Sequence, residues 1–184
     1  RLCFLIPPYP SMKKILLAVV VVLVVIQFFR PARNVAAAPS PNDIAAHYPM
    51  PPAVKTTLET ACFDCHSDTT RYPWYVNIQP VGWWMADHIK KGKRHLNFSE
   101  FAAYNPKIAF HKMKAVGHVV TEHEMPLESY TWIHHDAKLT DAQAKEIADW
   151  AATVRAAVLA AHPGADVWTP RARPGHQRPA PPAP

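Results

Sequence analysis

Apolar positions along this chain recur every three or four residues, and no stretch alternates apolar with polar over a strand's length, so the pattern predicts helices throughout. The first apolar segment differs in kind. Residues 15–29 are apolar on every side apart from Gln27, and as a helix they would span about 22 Å, short of the roughly 30 Å hydrocarbon core of a bilayer. With Lys13 and Lys14 ahead of this run, residues 12–30 read as a signal peptide, for which Val35-Ala36-Ala37 offers small cleavage residues. They also read as an uncleaved anchor, the preferred reading, whose Lys13, Lys14 and Arg30 snorkel to the interfaces. Further on, a short helix is expected from Val54 into Cys62. Another should start at Pro80, a favoured first-turn residue, and stop at Gly92. Asn97 with Glu100 three residues later resembles a cap on a short helix ended by Pro106, and a helix follows over 107–122. Thr140 with Gln143 makes a capping box, behind which Ile147, Trp150, Ala151, Val154 and Val158 form one apolar stripe. The expected class is all-α, with helices and long loops around a prosthetic group.

Composition divides the chain. Proline is abundant, at 20 of 184 residues, and such a load belongs in linkers and tails. Residues 31–53, rich in Pro and Ala, read as a semi-rigid spacer, and residues 163–184 as a disordered Pro/Arg-rich tail. Residues 1–11, with Cys3, precede a Met12-Lys13-Lys14 that looks like a true start, so they are expected to be a non-native extension. The domain is then 54–162. The net charge of +6 does not describe it, because this span holds 12 Lys and Arg against 12 Asp and Glu. The excess lies in the flanks, which argues against nucleic acid as a partner.

The chemistry concentrates at Cys62-Phe63-Asp64-Cys65-His66, the C-x-x-C-H spacing of covalent haem attachment. Two thiols three positions apart can reach two vinyl groups on one porphyrin edge, and the adjacent His66 can then bind iron as proximal ligand. A redox disulfide would want a βαβ context, and a structural zinc site a second ligand pair at short spacing; neither is present. A plain structural disulfide remains the third alternative. For the sixth iron position, Met125-Pro126 offers a thioether in a polar stretch where a packing methionine has little reason to be. His88, His118 and His123 are the alternative distal ligands. Tyr72, Trp74, Trp83 and Trp84 are expected to wall the pocket and exclude water. A carbonyl near Pro73 or Pro80 is expected to accept the Nδ1 proton of His66. His134 and His135 should face water, and the basic run from Lys90 to Arg94 reads as a solvated helix end or as a docking patch for an acidic redox partner.

Taken together, Cys62-Phe-Asp-Cys-His-Ser-Asp, Tyr72-Pro-Trp-Tyr, Pro80-Val-Gly-Trp-Trp, His88-Ile, Leu96-Asn-Phe-Ser-Glu and Met125-Pro resemble the small bacterial haem-binding domain proteins. These are typically membrane-anchored and carry one C-x-x-C-H motif. The resemblance implies a cytochrome-c-like helical fold around one covalent haem c, an exported protein in the periplasm tethered to the inner membrane, and a redox partner protein. In that group the domain can sit beside cytochrome c or di-haem peroxidase modules. No motif of such a module is visible here, so peroxidase activity is not carried over. The leading expectation is therefore a monohaem electron carrier. The alternative is a haem-based sensor or small peroxidase-like protein with an open distal site.

Overall fold

The computed structural model describes residues 11–168. The expected extension before Ser11 and the tail beyond Trp168 lie outside the described residues. The described chain is helical, and its one β feature is an isolated antiparallel bridge between Val35 and Thr69.

The first helix, α1 (Met12–Ile26), has 15 residues, none of them buried. No helix among the described residues is long and apolar enough to cross a membrane. Its end is fastened to the rest of the molecule. Gln27 Nε2 donates to the Gln79 carbonyl at 3.1 Å, Gln79 N donates back to Gln27 Oε1 at 2.8 Å, and Trp83 Nε1 donates to the Phe29 carbonyl at 2.7 Å.

Residues 31–53 are not a spacer. Asn34 accepts from Thr70 N through its carbonyl at 2.9 Å and donates through its backbone N–H to the Tyr72 hydroxyl at 2.7 Å. Its Nδ2 reaches Ser67 O and Thr70 Oγ1, each at 2.9 Å. The short helix α2 (Ile44–His47), N-capped by Asp43, puts Ile44 into the core at 0% exposure. Tyr48 meets Phe101 edge-on, and the Pro49 carbonyl accepts from Trp150 Nε1 at 3.1 Å. Proline limits how the backbone bends but leaves the side chains between prolines free to pack, and composition alone does not report that.

Next come α3 (Pro52–Ala61), opened by proline in its first turn, and the single-turn α4 (Phe63–His66). A 3-10 turn (Trp74–Asn77) leads to α5 (Val81–His95), and a second (Phe98–Ala103) follows, with the Asn97 side chain accepting from Ser99 N. Then α6 (Pro106–Thr121), α7 (Glu128–Thr131), a 3-10 turn (His135–Ala137) and α8 (Asp141–Ala161) complete the order. Both halves of the expected capping box form between Thr140 and Gln143. Helices α6 and α8 pack along their length. Phe110, Met113, Val116 and Val120 of α6 share one core with Ile147, Trp150, Ala151, Val154 and Val158 of α8, and α3 adds Val54 and Leu58. The start of the expected tail joins this core as well. Val167 is fully buried, and its carbonyl bonds His111 Nε2 at 2.9 Å.

Candidate haem site

The attachment motif begins where α3 ends. Cys62 caps α3, and its carbonyl accepts from both Cys65 N and His66 N, which starts the turn α4. Local winding thus carries Cys62, Cys65 and His66 through one helical turn, and neighbouring elements fix which way that turn faces. The strongest constraint is α5. Gly92 lies against α4 so closely that a Cβ there would stand 2.5 Å from the Cys65 carbonyl oxygen. The helix therefore does not stop at Gly92 but runs on to His95. The glycine serves a close approach of two backbones and not a C-terminal cap.

His66 donates from Nδ1 to the Leu96 carbonyl at 2.9 Å. The acceptor is thus the residue that ends α5, and not a carbonyl near Pro73 or Pro80. With Nδ1 committed, Nε2 keeps its lone pair, which is the state a metal-ligating imidazole needs. Burial pulls the His66 pKa below the ordinary value, against the opposing pull of the Leu96 and Gly92 carbonyls, so the ring is neutral. Both thiols are also held neutral. Burial, and then Cys65, push Cys62 up to about 12, while burial, and then Asp64, push Cys65 up to about 11. Both cysteines are free, and among the described residues no three His, Cys, Asp or Glu side chains converge as a metal site. Thiols held neutral in this way are weak nucleophiles, which disfavours a reactive dithiol.

These groups face a cavity with two lobes of about 520 and 480 Å3. Cys65, Trp84, His88, Tyr130 and His134 border the first lobe, and Leu58, Phe98, Val116, Val120 and Ile147 the second. Cys62, His66, His95, Met125 and Pro126 border both. The chain thus presents an apolar cleft with two thiols on one wall, a neutral imidazole, and a thioether at the junction of the lobes. That donor set fits a haem.

The other expected site residues divide. Trp84 lines the cavity, its ring 4.2 Å from that of His88, and His88 Nδ1 donates to the Trp84 carbonyl at 3.0 Å. Tyr72, Trp74 and Trp83 do not line it. Tyr72 lies over a small second cluster of Val76, Met85 and Ile89, Trp74 is 76% exposed, and Trp83 points to the end of α1. His118 is on the outer face of α6, and His123, at φ 54°, pairs with Asp141 at 3.1 Å, so neither is on the cavity wall. Periodicity gives no inward or outward direction for Tyr72 and Trp74, which lie outside the α-helices, whereas Trp83 and Trp84 sit on α5, where adjacent positions face about 100° apart.

Several wall residues were not expected. His134, predicted to face water, stacks on Tyr130 at 4.3 Å and shares a hydrogen bond with Tyr75 at 2.8 Å. His95 borders both lobes from the last turn of α5. The four-residue spacing of Tyr130 and His134 is the one sequence signal that could have paired them. Of the basic run, Lys93 is structural, bridging Asp68 at 2.6 Å and Asn34 at 2.6 Å.

Searches of curated proteins and of solved structures gave no match. A family model described as a haem-binding domain matches residues 21–153, a span that takes in the motif, the cleft, Met125 and the segment read from composition as a spacer. The chain belongs to the haem-binding domain family.

Proposed function

We propose that Cys62 and Cys65 carry one haem c through thioether bonds, that His66 and Met125 are its axial ligands, and that the protein is a monohaem electron carrier. The supporting observation is the cleft itself. His66, with its Nδ1 proton held by a carbonyl, and Met125 border both of its lobes, whereas His88 borders only the first. Bound haem would supply a one-electron iron couple, at a higher potential with Met/His than with bis-His ligation. The chain's own part is to fix and shield. Leu96 holds the His66 ring, Gly92 lets α5 close over Cys65, and the apolar walls keep water from the iron.

On this reading, Lys13 and Lys14 in the first turn of the exposed, otherwise apolar α1 favour export to the periplasm, with α1 as leader or as a tether to the inner membrane. A redox protein is then the partner. Lys90, Lys91 and Arg94 at the end of α5 offer it a basic edge, and Lys91 itself borders the cavity. A second reading, a sensor or small peroxidase-like protein with an open distal site, draws on His88 and His134 on the first lobe's wall as proton handlers.

Acid–acetone washing followed by a pyridine haemochrome assay tests attachment. Colour should stay with the protein and vanish from a Cys62→Ala, Cys65→Ala double variant; complete extraction from the unaltered protein would refute covalent binding. Met125→Ala separates the two readings. A carrier should lose its low-spin spectrum and begin to bind carbon monoxide, whereas an open site should change in neither respect.

A further inference from the structure

The first lobe contains a polar chain that iron ligation does not use. Tyr130, on α7 and five residues past Met125, donates its hydroxyl to Asp64 Oδ2 at 3.0 Å. Asp64 is inside the attachment motif, and its carboxylate is also held by Arg71. There Oδ1 accepts from Arg71 N at 2.9 Å and Nε at 3.1 Å, and Oδ2 accepts from Nη2 at 3.0 Å. Arg71 also donates to the Glu59 carbonyl at 2.7 Å, at the end of α3. The carboxylate is thus a rigid point on the wall that carries Cys65 and His66. Tyr130 is held in place by the His134 ring stacked on it, interplanar angle 18°, and His134 is bonded in turn to Tyr75.

The segment bearing Met125 is therefore fastened at three places. At its start, Glu124 N and Met125 N both donate to the Val119 carbonyl, at 2.9 and 3.1 Å, which ties it to the end of α6. At its far side, Tyr130 ties it across the cavity to α4, 66 residues away in sequence. At the end of the segment, His134 ties it a third time, to the Tyr75 hydroxyl on the wall of the same lobe at 2.8 Å.

We propose that the Tyr130–Asp64 hydrogen bond is a positioning latch that closes residues 126–134 over the cavity, holding Met125 on the iron and keeping small exogenous ligands out. This rests on the Met125 ligation proposed above. Arg71 satisfies Asp64 without Tyr130, so replacing the phenol by Phe removes the latch, keeps the ring under His134 and leaves no unpaired buried carboxylate. A hydrogen bond to a charged acceptor is strong enough that its loss should raise the open population roughly tenfold to a hundredfold.

The test uses the full-length, haem-loaded protein and carbon monoxide as the probe. Ferrous Tyr130→Phe should bind carbon monoxide at least tenfold faster than the unaltered protein, with a weakened ferric thioether–iron charge-transfer band and unchanged haem content. If Tyr130→Phe lowers Tm and leaves the binding rate unchanged, while Met125→Ala raises it, Tyr130 is a structural contact and the latch is overturned. If Met125→Ala alters neither spectrum nor rate, the ligation falls and the latch falls with it. Should Tyr130→Phe fail to load haem, His134→Leu, which keeps the phenol and removes the ring stacked on it, must raise the rate; an unchanged rate there overturns the latch.

Discussion

At the scale of single residues, Gly92 and His66 are one device. In an ordinary helix interior, Gly→Ala would stabilise by about 1 kcal/mol. Here the added Cβ meets the backbone oxygen of Cys65 at 2.5 Å, and a main-chain oxygen in a helical turn cannot swing aside as a side-chain tip can. Overpacking of this kind costs about 1–3 kcal/mol, so the clash outweighs the helical gain. Gly92→Ala is expected to lower the denaturant midpoint and, on the proposed attachment, the fraction of chains carrying haem, because Leu96, which holds His66, is one turn further along the same helix. Equal haem staining and an unchanged midpoint would show that α5 can move away freely. The spacing of Cys62, Cys65 and His66 was legible in the sequence because the three lie within one helical turn. The role of Gly92 was not, because glycine near the end of a helical pattern also signals a C-cap, and only the neighbour across the interface distinguishes the two.

At the scale of elements, local signals performed well wherever one residue satisfies another's backbone within a turn. Thr140 accepts from Gln143 N at 3.2 Å, and Gln143 Oε1 accepts from Thr140 N at 3.0 Å. Thr140→Ala should remove about 1 kcal/mol, since α8 supplies one whole side of the core and its frayed first turn carries Ala144 away from it. A thermal melt followed by circular dichroism checks this, and an unchanged Tm would mean that packing alone holds the turn. The stripe from Ile147 to Val158 is buried as its spacing predicts, each residue at 3% exposure or less. The adjacent tryptophans of α5 were not told apart in the same way. Trp84 reaches the cavity from α5 while its neighbour Trp83 turns to Phe29, because consecutive positions on a helix point about 100° apart.

At the scale of the whole molecule, residues 34–50 brace the site from outside. The bridge at Val35, the Asn34 bonds to Ser67, Thr70 and Tyr72, and Ile44 in the core hold the loop that follows the attachment motif. Ile44→Ala should destabilise the fold by about 2–5 kcal/mol, the cost of emptying a fully buried site. A true spacer would tolerate the change, so urea unfolding of that variant separates the two descriptions. The family match beginning at residue 21 agrees with a domain that starts before Val54.

The sequence by itself determined the helical class and most helix starts, and it singled out Cys62, Cys65, His66 and Met125 as candidate haem contacts. All of these depend on neighbours within about a turn of chain. Tertiary structure alone decided that Leu96 holds His66, that Met125 and His66 share a cleft, that Tyr130 reaches Asp64, and that a proline-rich stretch belongs to the core. Those contacts join residues 30 or more positions apart, as in the His66–Leu96 and Tyr130–Asp64 pairs. Short-range periodicity carries no information about which distant surface a side chain will meet.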